Sequence, residues 1–396
     1  MSDQNRDPVV IVGISRTPMG AMQGALSALS APELGAAAIR GALNDAGVVP
    51  ADVSEVLMGC VLPAGLGQAP ARQAALGAGI PEGVPTTTVN KVCGSGMKTV
   101  MMARDALLAG DAKVVVAGGM ESMSNAPYLL PKARSGMRLG HGEVQDHMFT
   151  DGLENAYDGQ LMGNFAESTA DKYGFTREEQ DAFALESLAR ANAAIEQGKF
   201  EREISPVTIC SRKGEVEVTV DEGPGSARPD KIPQLKPAFR KDGTVTAANA
   251  SSISDGAAAL VLMRESEARQ RGLKVLAVLR GQTQYAQQPE WFTTAPVSAM
   301  KSVLEKAGWS AEEVDLFEIN EAFAVVTMAG MRELNLPHDK VNVNGGACAL
   351  GHPLGASGAR VIVTLLAALE NRDLKKGVAS LCIGGGEATA IAIERV

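Results

Sequence analysis

Two cysteines and one histidine lie where the chain turns between predicted elements, and these residue types can carry out nucleophilic chemistry. Cys93 lies in "NKVCGSG", between an extended run and a helix-like run. Cys382 ends an apolar run just before three glycines, and His352, one of four histidines, lies in "ALGHPLG". A helix N-terminus lowers the pKa of a nearby thiol, because its unpaired N–H groups carry partial positive charge. A histidine titrates near neutral pH and can act as a general base.

Each of these residues also has an ordinary structural interpretation. Free cysteines are among the most buried residue types, so Cys93 and Cys382 could simply fill tight corners. His352 could be a loop histidine whose ring binds backbone carbonyls. Asn320, which follows an apolar strand in "EINEAFA", could cap the next helix. The glycines after Cys382 favour a functional interpretation, since they leave backbone N–H groups free to bind an oxyanion.

An internal repeat predicts how these residues are brought together. Residues 30–59 resemble residues 294–320, and residues 87–119 resemble residues 341–385. In both copies short apolar strands alternate with helical segments, which is typical of βαβ units and predicts largely parallel sheets. We therefore expect an α/β fold of two similar halves about a pseudo-two-fold axis, with strand ends from both halves forming one cleft. Two thiols, an imidazole and a glycine-made anion site in that cleft would suit thiol-dependent acyl transfer.

The segment between the two copies differs from both in composition. Residues 120–247 combine loop-rich stretches, a strong amphipathic helix with Thr176 as its N-cap and a Glu at N3, and a Gly/Pro-rich stretch poor in strand formers. We expect these residues to form an inserted loop domain. The N-terminal half would then comprise residues 1–119 plus 248–272, and the C-terminal half residues 273–396.

Whole-chain composition excludes several classes of function. The net charge of −9 argues against a general nucleic-acid or anionic-membrane binder. No apolar run approaches the roughly 18 residues that span a bilayer, and the polar N-terminus does not resemble a secretory signal. Five cysteines without a CxxC pair argue against a disulfide framework and a zinc site, so we expect free thiols, no metal and a cytoplasmic location. The glycine-rich segments lack the phosphate-loop and dinucleotide patterns.

Four motifs, in chain order, resemble the active-site motifs of the thiolase family, the acetyl-CoA C-acyltransferases. They are "NKVCGSG", "NEAFA", "NGGACALGHPLGASGAR" and "LCIGGG". The resemblance covers essentially the whole chain and implies the thiolase fold. It also implies acetyl-CoA C-acetyltransferase activity: two acetyl-CoA molecules condense to acetoacetyl-CoA and CoA through an acyl-cysteine, and the reverse reaction is thiolysis. Coenzyme A would be a substrate, no cofactor would be needed, and the enzyme would belong to fatty acid metabolism.

The resemblance implies a role for each motif residue. Cys93 would be the acylated nucleophile, and His352 would deprotonate Cys93 or the incoming CoA thiol. Cys382 would act as the acid and base at the methyl carbon of acetyl-CoA. Asn320 would hold a water that forms one oxyanion hole with His352. The backbone N–H groups of Cys93 and Gly384 would form the second.

The resemblance also implies contacts with the acyl and pantetheine groups and an assembly. The residues expected to make these contacts are Ser251, Met162, Leu153, Phe292 and Phe323. The family usually forms a homotetramer, a dimer of dimers, through a protruding loop, and the extended segment at residues 122–140 matches such a loop.

Several positions depart from the family pattern. Leu161 replaces a histidine that is common in biosynthetic members, and Phe292 occupies a position where many members have methionine. Glu387 stands where methionine or glutamine is usual, and the loop around Arg228 is shorter than usual, which puts its role with the CoA adenine in doubt. These departures leave the acyl-chain preference open.

Three other functions share some of these sequence features. A broader-chain 3-ketoacyl-CoA thiolase of β-oxidation would share all the motifs. A condensing enzyme of the ketoacyl-synthase type usually lacks the second cysteine, which argues against it here. A non-catalytic acyl-CoA-binding homologue would be expected to lose Cys93, His352 or Cys382, and all three are present.

Overall fold

The computed structural model describes residues 7–212 and 214–396. The strands are β1 (Val9–Arg16), β2 (Gly20–Ala21), β3 (Glu55–Gly59), β4 (Thr86–Val89), β5 (Val114–Ser122), β6 (Tyr128–Leu129), β7 (Gln145–Asp146), β8 (Val207–Ser211), β9 (Gly214–Val218), β10 (Ser254–Arg264), β11 (Ala277–Ala286), β12 (Leu316–Ile319), β13 (Lys376–Ile383) and β14 (Glu387–Arg395). The α-helices are α1 (Ala31–Ala46), α2 (Pro70–Gly77), α3 (Ser95–Ala109), α4 (Met162–Tyr173), α5 (Arg177–Glu196), α6 (Glu222–Ser226), α7 (Glu265–Gln270), α8 (Ala295–Ala307), α9 (Ala324–Leu334), α10 (Ala347–Leu350) and α11 (Leu354–Asn371).

The two halves of the chain have the same strand order. In the N-terminal half the order is β1-β10-β5-β3-β4, and in the C-terminal half it is β11-β14-β13-β12. Val341 bridges Phe317 of β12 at the place that corresponds to β4. Strands β1 and β11 pair antiparallel and join the strands of the two halves into one ten-stranded sheet. This repeated order confirms the two similar halves that the internal repeat predicted.

One strand in each half contradicts the prediction of largely parallel sheets. β10 runs antiparallel to β1 and β5, and β14 runs antiparallel to β11 and β13. β13 and β14 are joined by the short turn Gly384–Gly386, and so short a connection can link only antiparallel strands. In the N-terminal half the corresponding connection, from β5 to β10, is the long segment at residues 123–253. The loop domain is therefore inserted into a hairpin turn.

Helices α3 and α11 pack against each other and against strands of both halves. α11 is buried from Leu354 to Leu369, as expected for a helix that is enclosed on all sides. A Cβ added to Gly96 of α3 would lie 2.7 Å from the backbone N of Ala359, and one added to Gly358 would lie 2.3 Å from that of Met97. Glycine at both positions therefore allows the close approach of the two helix backbones, which brings the first turns of both helices together.

The loop domain is tied to the N-terminal half by a buried arginine. Arg16, at the end of β1, forms ion pairs with Glu203 (2.5 Å) and Asp221 (2.6 Å), and all three side chains are fully buried. Within the domain, Thr176 caps α5: its hydroxyl accepts the N–H of Glu179, whose carboxylate accepts the N–H of Thr176. The predicted cap is thus confirmed.

The hairpin of β6 and β7 projects from this domain, and its tip carries exposed apolar side chains. Leu139 at the tip is 99% exposed, and Tyr128 in β6 is 69% exposed. Such exposure of large apolar side chains is typical of an interaction surface. No helix in the described part of the chain is long and apolar enough to cross a membrane.

Candidate active site

Cys93 lies on a strained turn between β4 and α3. Val92, the residue before it, has a φ of +46°, a left-handed conformation that is unusual for a β-branched side chain and costs about 1–3 kcal/mol. Local hydrogen bonds hold the turn: the N–H of Val92 donates to Asn90 Oδ1 (2.9 Å), and the N–H of Lys91 donates to Ser95 Oγ (2.8 Å). The hydroxyl of Ser95 donates in turn to the carbonyl of Val92 (2.7 Å). These bonds fix the Cys93 side chain at the N-terminus of α3.

The pKa of the Cys93 thiol is shifted in the opposite direction to the one predicted. Burial raises the pKa of the Cys93 thiol to about 11, although hydrogen bonds from the backbone N–H groups of Gly384 and Cys93 itself act in the opposite direction. The sequence-based prediction was wrong because the thiol is only 8% exposed, so desolvation of the thiolate outweighs the helix N-terminus. The resting thiol is neutral, and a base must remove its proton.

The imidazole of His352 is oriented as such a base. Its Nδ1 lies 2.5 Å from Ser357 Oγ, and the hydroxyl of Ser357 donates to the carbonyl of Pro353 (2.9 Å). Because a serine hydroxyl has one proton, Ser357 must accept the Nδ1–H of His352, which leaves Nε2 unprotonated. Nε2 has no hydrogen-bond partner within residues 7–212 and 214–396. Burial, with a contribution from the charge of Arg360, lowers the pKa of His352 to about 3, so the ring is neutral.

Cys382 approaches Cys93 from the C-terminal half. It lies near the end of β13 and is fully buried. Burial, and repulsion from Cys93, raise the pKa of the Cys382 thiol well above its ordinary value. The two thiols, from opposite halves, therefore lie close enough to influence each other's ionisation.

Asn320 is oriented by an arginine, and its interpretation as a helix cap is wrong. Helix α9 begins at Ala324, and Phe323 is its N-cap residue. Arg360 Nη2 donates to Asn320 Oδ1 (3.2 Å), and Arg360 Nη1 lies 3.4 Å from Glu318 Oε2. A guanidinium has only donors, so the amide oxygen must face Arg360 and the amide nitrogen must face away. That buried Nδ2 has no partner in the part of the chain that the structure describes, and it is available to bind a water or a substrate oxygen.

An apolar cavity of about 230 Å³ reaches Cys93, His352 and Gly384. The five residues predicted from the sequence to contact substrate all line it: Ser251, Met162, Leu153, Phe292 and Phe323. Leu161, one of the departures from the family pattern, also lines it, and further lining side chains that were not predicted are Phe149, Phe239, Ile253 and Leu354. Asn320 and Cys382 do not line the cavity. Arg228 is exposed and lies outside it.

Some of the unpredicted residues lie in unusual local structure, and others are placed only by the tertiary fold. Phe149 begins a π-helical turn, Phe149–Leu153, which is a rare conformation common at functional sites. Phe239 packs edge-to-face on Phe323, with ring centroids 6.1 Å apart, and only the tertiary fold places it there. Ser357 and Arg360, which orient His352 and Asn320, lie in the motif "GASGAR", but no pattern in that motif shows what they contact.

No cluster of His, Cys, Asp and Glu side chains that could hold a metal ion occurs among the described residues. The five cysteines are unpaired in this structure. The predicted lack of a cofactor stays a prediction.

Comparison with known proteins gives a consistent set of relatives. Residues 9–266 match the family model "Thiolase, N-terminal domain", and residues 273–395 match "Thiolase, C-terminal domain". An acetyl-CoA acetyltransferase of Pseudomonas aeruginosa is 52% identical over 389 residues, which cover 98% of this chain and 99% of that protein. Acetyl-CoA acetyltransferase 2 of Arabidopsis thaliana is 53% identical over 393 residues, which cover 98% of each. The crystal structure of the Bacillus anthracis acetyl-CoA acetyltransferase superposes with a TM-score of 0.96 at 44% identity, covering 98% of this chain and 99% of that one.

Proposed function

The chain belongs to the thiolase family, and we infer that it is an acetyl-CoA C-acetyltransferase, which converts two acetyl-CoA molecules to acetoacetyl-CoA and CoA and also catalyses the reverse thiolysis. Relatives with that name match it over nearly their whole length. The observation that carries the assignment is that a buried thiol and a neutral imidazole line one apolar cavity, and that a second buried thiol, from the other half, interacts electrostatically with the first. Carbon–carbon bond formation needs one thiol to hold the acetyl group and a second group to move the methyl proton.

The proposed first half of thiolysis begins with a proton transfer. His352 Nε2 takes the thiol proton of Cys93, and the thiolate attacks the 3-keto carbon of acetoacetyl-CoA. The N–H groups of Cys93 and Gly384 stabilise the oxyanion that forms. The bond between C2 and C3 then breaks, which leaves an acetyl group on Cys93 and the enolate of acetyl-CoA. The imidazolium of His352 and a water on Asn320 stabilise the enolate oxygen, and the thiol of Cys382 protonates its carbon.

The second half transfers the acetyl group to CoA. The thiolate of Cys382 and the imidazolium of His352 first neutralise each other by proton transfer through solvent. His352 then takes the proton of the CoA thiol, whose sulfur attacks the acetyl group on Cys93. The same proton returns to Cys93 as the second acetyl-CoA leaves. In this scheme burial keeps both thiols and the imidazole neutral between turnovers, so ionic forms arise only when substrate is bound.

A thiolysis assay with acetoacetyl-CoA and CoA tests the proposed function. We expect the wild-type protein to consume both substrates, and Cys93→Ala and Cys382→Ala to lose at least about a thousandfold in kcat, since each removes one of the two reacting groups. Cys60→Ala is the matched control, because Cys60 is also buried but its thiol donates to Glu121 Oε1 (3.6 Å) and is neither of the two proposed reacting groups. A wild-type protein that binds acetyl-CoA without turning it over would identify a non-catalytic homologue instead. A preference for long 3-ketoacyl chains would identify a β-oxidation thiolase.

Assembly and location are further parts of the proposal. A homotetramer, a dimer of dimers, is supported by the apolar tip of the β6–β7 hairpin, where Leu139 is almost fully exposed. Light scattering should give the mass of four chains, and Leu139→Asp should reduce it to two. A wild-type mass of one chain at micromolar concentration would contradict the proposed dimer as well. The unpaired thiols support a reducing compartment, and we propose the cytoplasm and a role in fatty acid metabolism.

A further inference from the structure

One ion pair connects the two halves at the catalytic turn, and the proposed reaction does not use it. Lys91 Nζ contacts Glu387 Oε2, and the two residues are separated by 296 positions in the sequence. Both are part-buried, with side-chain exposures of 19% and 38%. Lys91 lies two residues before Cys93, and Glu387 lies three residues after Gly384. The pair therefore joins the two loops that carry the N–H donors of one proposed oxyanion hole.

The first of these loops contains a backbone conformation that needs support. Val92 lies between Lys91 and Cys93 and has a φ of +46°. On the second loop Gly385 and Gly386 have φ values of +91° and +92°, which glycine adopts without strain. A strained residue keeps such a conformation only when its surroundings hold it there. The hydrogen bonds already described come from within the first loop, whereas the ion pair is a contact from the opposite half.

A carboxylate from each half contacts the other half near the start of its central helix. Glu121, on β5, accepts the N–H of Gly355 (2.8 Å), in the first turn of α11. Glu387, the first residue of β14, pairs with the side chain of Lys91, four residues before α3 begins. Because the contact of Glu387 is to a side chain, it can be removed by substitution without altering a backbone hydrogen bond.

We propose that Lys91 and Glu387 are positioning residues: their ion pair holds the strained turn at Val92 and thereby sets the N–H of Cys93 against the N–H of Gly384. This inference rests on the proposed function. Neither Lys91 nor Glu387 lines the apolar cavity, so the pair acts on the geometry of the oxyanion hole and not on substrate binding. A small displacement of a reacting group is enough to cost a large factor in rate.

Steady-state kinetics of Lys91→Met and Glu387→Gln tests the proposal. We expect kcat for thiolysis of acetoacetyl-CoA to fall about tenfold in each, with KM within about twofold, because only the alignment of the donors changes. The exchanged variant, Lys91→Glu with Glu387→Lys, should recover at least half of the lost kcat. Unchanged kcat in both single variants, or an exchanged variant no better than either, would overturn the proposal.

The matched control is Lys376→Met. Lys376 pairs with Glu313 at 3.3 Å with side-chain exposures of 26% and 51%, at the opposite end of the strand that carries Cys382. The Lys376→Met variant should keep wild-type kcat. If its kcat fell as much as that of Lys91→Met, the loss would follow from removing any such ion pair and not from the alignment of the donors.

Hydrogen exchange followed by mass spectrometry provides a readout that does not depend on activity. We expect faster exchange of the amides in residues 90–96 in Lys91→Met and Glu387→Gln but not in Lys376→Met. Wild-type exchange in this segment would overturn the positioning role even if the protein had no thiolysis activity. An inactive wild-type protein whose Lys91→Met variant shows faster exchange would instead contradict the proposed function alone.

Discussion

Substitution of Ser357 by alanine should lower activity through the protonation state of His352. In the wild-type protein Ser357 accepts the Nδ1–H of His352, which keeps Nε2 unprotonated toward the cavity. Alanine would leave a buried N–H without a partner, which costs about 1–3 kcal/mol. The ring can reduce this cost by moving its proton to Nε2, where a substrate oxygen bound in the cavity can accept it. The form that can accept a proton from Cys93 then becomes the minor one.

The size of the effect follows from that cost. A preference of about 1–3 kcal/mol corresponds to about a 5- to 150-fold reduction in the competent form, and kcat should fall by the same factor. KM for acetoacetyl-CoA should stay within about twofold, since Ser357 is fully buried and does not line the cavity. The assay is steady-state thiolysis at neutral pH, together with thermal unfolding of each variant.

The control for this prediction is Ser122→Ala. Ser122 is also buried, and its hydroxyl makes the same kinds of bonds: it donates to the carbonyl of Leu29 (3.0 Å) and accepts from Asn125 Nδ2 (2.9 Å). Both variants should lose a similar amount of stability, but only Ser357→Ala should lose activity. If Ser357→Ala keeps more than half of the wild-type kcat, the argument from the histidine tautomer is wrong.

The remaining predictions concern the two thiols and the substrate range. Cys93→Ala should abolish covalent acetylation, whereas Cys382→Ala should still acetylate slowly but fail to exchange the methyl protons of acetyl-CoA; equal deuterium incorporation in the two variants would contradict this division. Alkylation of Cys93 by iodoacetamide in the free enzyme should keep rising with pH toward about 11, because only the thiolate reacts and burial raises the pKa of this thiol; a plateau below pH 8 would show a thiolate-stabilising site. Acetoacetyl-CoA should be the best substrate, with a 2-methyl branch tolerated and kcat/KM falling steadily for longer chains. The reason is that Leu161 and Phe292 line the cavity, and that the ring of Phe292 packs edge-to-face on that of Phe165, with ring centroids 6.4 Å apart. A maximum of kcat/KM at ten carbons would contradict this interpretation of the cavity.

The sequence was sufficient for features that are determined by local chain geometry. Cys93 is recognisable because a thiol lies on a glycine turn at a helix start, and the internal repeat indicates that a second half brings His352 and Cys382 to it. The same repeat predicted two similar halves. It did not predict that β10 and β14 are antiparallel. The turn that would have shown the direction of β10 is replaced by the inserted domain, and the three glycines before β14 were interpreted as an anion site and not as a hairpin turn.

Features that depend on burial and long-range contact could not be predicted in this way. The pKa of Cys93 was expected to fall, and it rises, because its degree of burial is a property of the assembled halves. The contact of Arg360 with Asn320 and that of Lys91 with Glu387 join residues far apart in the sequence. A single sequence contains no periodic or motif signal for such pairs.

The insertion of a domain into one of two equivalent hairpins has a consequence for how the chain folds. β13 and β14 are joined by three glycines and can pair as soon as both exist, whereas β5 must wait for β10 until the whole segment at residues 123–253 has been made. The connection from β5 to β10 is longer than that from β13 to β14 by about five doublings of length. Closing the longer loop therefore costs about 3 kcal/mol more in entropy, before β10 makes its first contact with β5. Contacts of such long range slow folding. During synthesis the strands of the N-terminal half therefore stay incompletely paired while most of the loop domain emerges. In that time one edge of β5 is unpaired and can pair wrongly with another chain. We expect the apolar cavity to be completed last, since its walls come from the inserted domain and from both halves.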